Sequence, residues 1–124
     1  QIHYDNLRAG NFEVGDAGWI ADFNDARNFL YLYETKSGQM NYGKFSNAEF
    51  DRLMKAADDE IDLAKRGELL VAAERILVQE WPFCPTVFLV NKNLVSPRIT
   101  GWVDNITDIH RARYLSTKEA AAEA

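Results

Sequence analysis

Residues 45–57 leave this chain little conformational choice. Ser46-Asn47-Ala48-Glu49 is a capping box, in which the Ser46 hydroxyl accepts from the Glu49 backbone and the Glu49 side chain reaches back. Phe45 and Phe50 flank it at the spacing of a hydrophobic staple. Phe50, Leu53, Met54 and Ala57 then form one apolar helical stripe. Asp62 is placed to cap a second, longer helix in which Leu69, Ala73, Ile76, Leu77 and Trp81 share a face. Pro82 and Pro85 end it.

The flanks read differently. Ile2 to Ala9 predicts a last helical turn closed by Gly10. Asn11-Phe12-Glu13-Val14 alternates polar and apolar residues, as a half-buried strand does. The small residues from Gly15 to Asp22 continue it and leave room for another backbone to approach. Asn24 and Asp25 are helix-cap candidates before Phe29, Leu30 and Leu32. Lys36 to Tyr42 reads as a polar loop. Thr86-Val87-Phe88-Leu89-Val90 is β-branched and aromatic, and predicts a buried strand. Asn91 to Asn93 makes a turn, Leu94 to Ser96 a short return strand that Pro97 stops, and Lys118 to Ala124 a disordered tail. Strand, helices, strand is the order of an α/β or α+β domain.

At 124 residues the length suits one domain. Fourteen Lys and Arg against 19 Asp and Glu give a net charge of −5, which argues against a nucleic-acid partner. No apolar run approaches the ~20 residues that span a bilayer. Gln1 to Asp5 lacks the basic and apolar regions of a signal peptide, as a mature chain or an internal stretch of an exported protein also would. Cys84 is alone, so neither an intrachain disulfide nor a cysteine metal site is expected. Its setting in Trp81-Pro82-Phe83-Cys84-Pro85 predicts a buried, inert thiol.

Few constellations carry chemistry. Asp58-Asp59-Glu60 with Asp62 lacks the spacing of a calcium loop and reads as a solvated turn between helices. Asp25 reads as a helix cap. Asp22 differs, because it ends the small-residue segment Gly18-Trp19-Ile20-Ala21, where a carboxylate in a groove could pair with a ligand cation. Trp19 and Trp102 each follow a glycine and suit either a core or a pocket wall. Asn105-Ile106-Thr107 fits the glycosylation pattern, and Arg98, Arg111 and Arg113 suit surface ion pairs. No Gly-rich phosphate loop, metal-ligand spacing or catalytic triad order is present, so no enzyme activity and no cofactor are expected.

From Gly18-Trp19-Ile20-Ala21-Asp22-Phe23-Asn24-Asp25 onward, with Asn28-Phe29-Leu30, the chain resembles the oligopeptide-binding type of extracellular solute-binding protein, the family 5 receptors of ABC importers. The likeness continues through Asn41-Tyr42 and Phe45 to Leu53. It then takes in Arg66, Ala73 to Leu77, Trp81-Pro82, Pro85, Leu94 to Pro97 and Gly101-Trp102. The resemblance implies an α/β fold, as part of a two-lobed receptor: the later half of the second lobe and the return segment to the first. Residues 1–84 would hold the ligand-lining segment and two helices, 85–117 the return strands, and 118–124 a disordered tail.

In such receptors this segment pairs with an extended peptide as an added strand. By that resemblance Gly18, Trp19, Ile20 and Ala21 line the groove and Asp22 holds the α-ammonium. The implied partners are a peptide, a membrane permease and the missing N-terminal part of the receptor. Self-association of the exposed faces is a further expectation. The implied location is periplasmic or extracellular, associated with the membrane through the transporter. Two positions depart from the pattern. Ile20 stands where some peptide receptors carry a disulfide cysteine, and Asp16 where some carry a basic residue for the ligand carboxylate. Dipeptides, nickel chelates, sugars and opines are other solutes of this family, and a structural element without binding is the alternative reading.

Overall fold

A computed structural model describes residues 1–105 and 107–118. The chain divides between Pro85 and Thr86 into two units.

The first unit begins with α1, Ile2–Ala9, a complete helix rather than a single turn. Gly10 closes it at φ 75°, a left-handed conformation that glycine adopts without a Cβ penalty. Residues 11–22 form no strand, contrary to their alternation, because no neighbouring segment pairs with them among the described residues. A short helix, α2, spans Arg27–Leu30 and runs into a 3₁₀ turn at Tyr31–Tyr33. Its cap position is Ala26, not Asn24 or Asp25. Asp25 nonetheless serves the first turn, since its carboxylate accepts from the Arg27 backbone N–H at 2.8 Å. The loop that follows contains a second 3₁₀ turn, Gly38–Met40.

Helices α3, Ala48–Asp59, and α4, Leu63–Glu80, form the hairpin that organises this unit. The α3 cap is Asn47, one residue later than the capping box predicts. Its side chain accepts from the backbones of Glu49 and Phe50 at 2.9 and 3.0 Å. Ser46 instead bonds the Thr35 hydroxyl, and Glu49 pairs with Arg52. The staple contact forms, with the Phe45 and Phe50 rings edge to face at 5.7 Å. Asp62 caps α4 as its position predicts, accepting from Ala64 and Lys65. Asn47 Nδ2 also donates to Glu80 at 2.6 Å, tying the start of α3 to the end of α4.

The predicted stripe of α3 is buried in full: Phe50, Leu53, Met54 and Ala57 pack with Leu70, Ala73 and Leu77 of α4 and with Leu30 of α2. Burying each large side chain contributes about 1.5–3 kcal/mol. On α4 the expected face is displaced. Leu70 is buried, Leu69 and Ile76 are half-buried, and Trp81 caps the helix in a left-handed conformation at 66% exposure. Phe83 stacks on Tyr33 at 4.6 Å, while Cys84 is exposed rather than buried. At the end of α3 and in the turn after it each acid has a partner within the fold: Asp58 pairs with Arg27, Asp59 with Lys55, and Glu60 accepts from the Asp62 N–H.

The second unit holds one two-stranded antiparallel pair, β1 (Ile99–Thr100) with β2 (Ser116–Thr117). The Lys118 N–H donates to the Arg98 carbonyl at 2.8 Å, so Lys118 extends this pairing, and the remainder of the expected tail, 119–124, lies outside the described residues. Gly101 turns at φ 83°, where a Cβ would collide with the Tyr114 carbonyl. Thr86 to Val90 and Leu94 to Ser96 are not strands, and Phe88 is 99% exposed. Their β-branched composition is satisfied only by a neighbouring strand, which the described residues do not provide. Arg98, Arg111 and Arg113 form no ion pair among the described residues; Arg113 lies over the Tyr114 ring at 6.0 Å. Ile106, the middle residue of the glycosylation pattern, lies outside the described residues.

Candidate functional site

The segment Gly18 to Asp22 is held by one buried side chain. Asn28, on α2, is 3% exposed. Its Oδ1 accepts from Trp19 Nε1 at 2.8 Å and from the Asp22 backbone N–H at 3.2 Å. Its Nδ2 donates to Asp22 Oδ2 at 3.4 Å. Two residues singled out in the sequence are therefore brought onto a common support that the sequence did not indicate. Asp22, Gly18 and Ile20 are exposed, whereas Trp19 and Ala21 are half-buried.

The half-buried Trp19 indole meets the Tyr31 ring edge to face at 5.8 Å. Burial raises the Tyr31 phenol above its usual pKa, with the Asp22 charge and Tyr42 adding to the effect. A cleft of about 100 Å³ opens between Ala17, Gly18 and Trp19 on one side and Leu32, Tyr33, Met40 and Tyr42 on the other. Burial also pushes the Tyr33 phenol up to about 12.

Beneath this segment lies a set of ion pairs. Arg66 of α4 donates to both oxygens of Asp25, at 2.7 and 3.1 Å. Arg27 donates to both oxygens of Asp58, at 2.7 and 2.9 Å, and also lies 3.1 Å from Glu34. Hydrogen bonds from Arg66 and Arg27 hold the Asp25 and Asp58 carboxyls below the usual carboxylate range, and both arginines are raised in turn. Planar, two-pronged pairing of this kind fixes geometry as well as charge. It joins α2, and with it Asn28, to the helix hairpin.

Across Gly18 to Ala21 the backbone N–H and C=O groups bond to no other protein group among the described residues. Such groups are satisfied by water or by a ligand. The arrangement offers an unladdered backbone for an added strand, a carboxylate at its end and an aromatic wall beside it. Among the described residues no three His, Cys, Asp or Glu side chains converge as metal ligands. No helix of the described residues is long and apolar enough to cross a membrane.

Trp102, the other tryptophan singled out, lies in the second unit. It stacks on His110 at 3.6 Å and donates through Nε1 to Asp104. His110 contacts Asp108, which also accepts from Asn91 and Asn93.

No family model matches the chain. It is 39% identical over 100 residues to the oligopeptide-binding protein OppA of Bacillus subtilis, covering 81% of this chain and 18% of that protein. It is 32% identical over 115 residues to the periplasmic murein peptide-binding protein MppA of Escherichia coli, covering 91% of this chain and 21% of the relative. Among solved structures, the unliganded open form of the murein tripeptide-binding protein MppA matches with a TM-score of 0.76 and 28% identity, over 94% of this chain and 22% of that one. The chain thus spans about a fifth of the length of these relatives, each of which is a binding protein by name.

Proposed function

The chain belongs to the oligopeptide-binding family of extracellular solute-binding proteins and has the fold of part of a periplasmic binding protein, and from that premise we propose that it supplies one wall of a peptide-binding groove. A peptide lies along Gly18, Trp19, Ile20 and Ala21 and pairs with their backbone as an added strand. The Asp22 carboxylate takes the α-ammonium and sets the register. Backbone pairing tolerates varied side chains, because its hydrogen bonds do not read them. The receptor closes its two lobes over the peptide and delivers it to the membrane permease of an ABC importer, from the periplasm or the cell exterior.

One observation carries the reading. An exposed carboxylate ends a stretch of backbone that has no ladder partner of its own, and the same buried amide holds both its ring and its acid. The bare apolar side chains at Val87, Phe88, Leu89 and Val90 support a further element of the reading, that the rest of the receptor covers them.

The test is calorimetric titration of a tri- to pentapeptide pool into the receptor that carries this segment, with and without Asp22→Asn. The substitution keeps the size and removes the charge. Affinity is expected to fall at least about tenfold, the loss of a charge-assisted bond. Unchanged affinity overturns the role of Asp22.

A further inference from the structure

The geometry points to Asn28 as the positioning residue that sets where the Asp22 carboxylate meets a ligand ammonium, an inference that rests on the function proposed above. Asn28 is buried, and both ends of its amide are committed to the ligand-lining segment. Its carbonyl oxygen holds the Trp19 ring and the Asp22 backbone. Its N–H₂ faces Asp22 Oδ2 and leaves Oδ1 without a protein partner among the described residues. One carboxylate oxygen is therefore held by the protein and the other is open to a cation.

The support is itself rigid. Asn28 sits on a four-residue helix whose neighbours Asp25 and Arg27 are each clamped by a two-pronged ion pair to the α3–α4 hairpin. A small shift of the amide moves the carboxylate and the ring together. Asn28 therefore governs recognition of the peptide's free amine, and not only the stability of the loop.

Two variants separate those roles. Asn28→Ser removes the reach to both partners. Asn28→Asp keeps an acceptor for Trp19 and for the Asp22 N–H, and places a second carboxylate where the N–H₂ stood. Two carboxylates at that range share a proton. That proton competes with an ammonium ion for the same oxygens. Near Asn28 the Tyr31 phenol is raised and stays neutral, the Asp25 and Asp58 carboxyls are lowered and stay ionised, and Arg27 and Arg66 are raised and stay protonated, so none of these five changes charge between about pH 5 and 7.

The experiment titrates trialanine and N-acetyltrialanine into the receptor, as wild type, Asn28→Ser, Asn28→Asp and Asp22→Asn, each first shown to be folded by circular dichroism. Asn28→Ser is expected to weaken trialanine at least about tenfold and the acetylated peptide by less than about threefold. In Asn28→Asp, trialanine affinity rises with pH between about 5 and 7, more steeply than in the wild type and below the range, about 7.7–8.0, where the peptide's own α-amine loses its proton. If Asn28→Ser does not fold, the pH profile of Asn28→Asp decides alone. Equal weakening of both peptides, or a flat pH profile in Asn28→Asp, reduces Asn28 to a purely structural role and overturns the inference. If Asp22→Asn leaves trialanine affinity intact, the function proposed above fails instead.

Discussion

Arg66 donates to both carboxylate oxygens of Asp25, at 2.7 and 3.1 Å, across 41 residues of chain. Asp25 in turn accepts from the Arg27 backbone and so begins the helix that carries Asn28. A long-range ion pair, a local cap and the support of the candidate ligand segment thus meet at one carboxylate.

That pair is expected to couple in a double-mutant cycle. Asp25→Ala and Arg66→Ala, each measured by urea unfolding, should differ from additivity by about 1 kcal/mol, the upper range for partly exposed pairs. Additive effects would show that the pair does not hold α2 in place.

Acid should weaken the fold by a predictable route. Asp25 and Asp58 have folded pKa values below the usual 3.8, so their stabilising contribution is present above that value. It is lost as pH falls through the lower folded values. Urea midpoints measured from neutral pH to below 3.8 should therefore decline. The decline should be shallower in Arg27→Ala and Arg66→Ala, where the cause of each shift is gone. An identical slope in these variants would place the acid sensitivity elsewhere.

The helix cap separates two adjacent residues. Asn47→Ala should destabilise by about 1 kcal/mol, because two backbone N–H groups lose their acceptor. Ser46→Ala should change stability by less than about 0.5 kcal/mol, since Ser46 bonds only the exposed Thr35 hydroxyl. Thermal or urea unfolding of the two variants distinguishes them.

The same contrast holds on α4. Leu70 is 5% exposed and packs in the core, whereas Leu69 lies at its margin. Leu70→Ala should cost about 2–5 kcal/mol and Leu69→Ala clearly less. A larger loss at Leu69 would restore the face that the sequence suggests.

These contrasts mark how far the sequence could be read. The hairpin was legible because its signals are local: the cap at Asp62, the stripe from Phe50 to Ala57, and the stop at Pro82 all act within a turn or two. Ser46 and Asn47 are both competent caps, and only the backbone decides between them. The strands were not legible in the same way. Thr86 to Val90 has the composition of a buried strand, but a strand requires a neighbour, and none pairs with it among the described residues. Of the site, Trp19 and Asp22 stood out by their setting, and the family resemblance assigned them roles. Asn28 did not stand out, because nothing in the sequence from Trp19 to Asn28 shows that its amide is buried and bonded to both of them.

The most direct measurement compares one peptide with and without its charge. Trialanine and N-acetyltrialanine are titrated calorimetrically into the unsubstituted receptor that carries this segment. If Asp22 holds the α-ammonium, the free peptide binds at least about tenfold more tightly. Equal affinities would contradict an ammonium anchor at Asp22, and would leave Gly18 to Ala21 as a backbone edge without a fixed register.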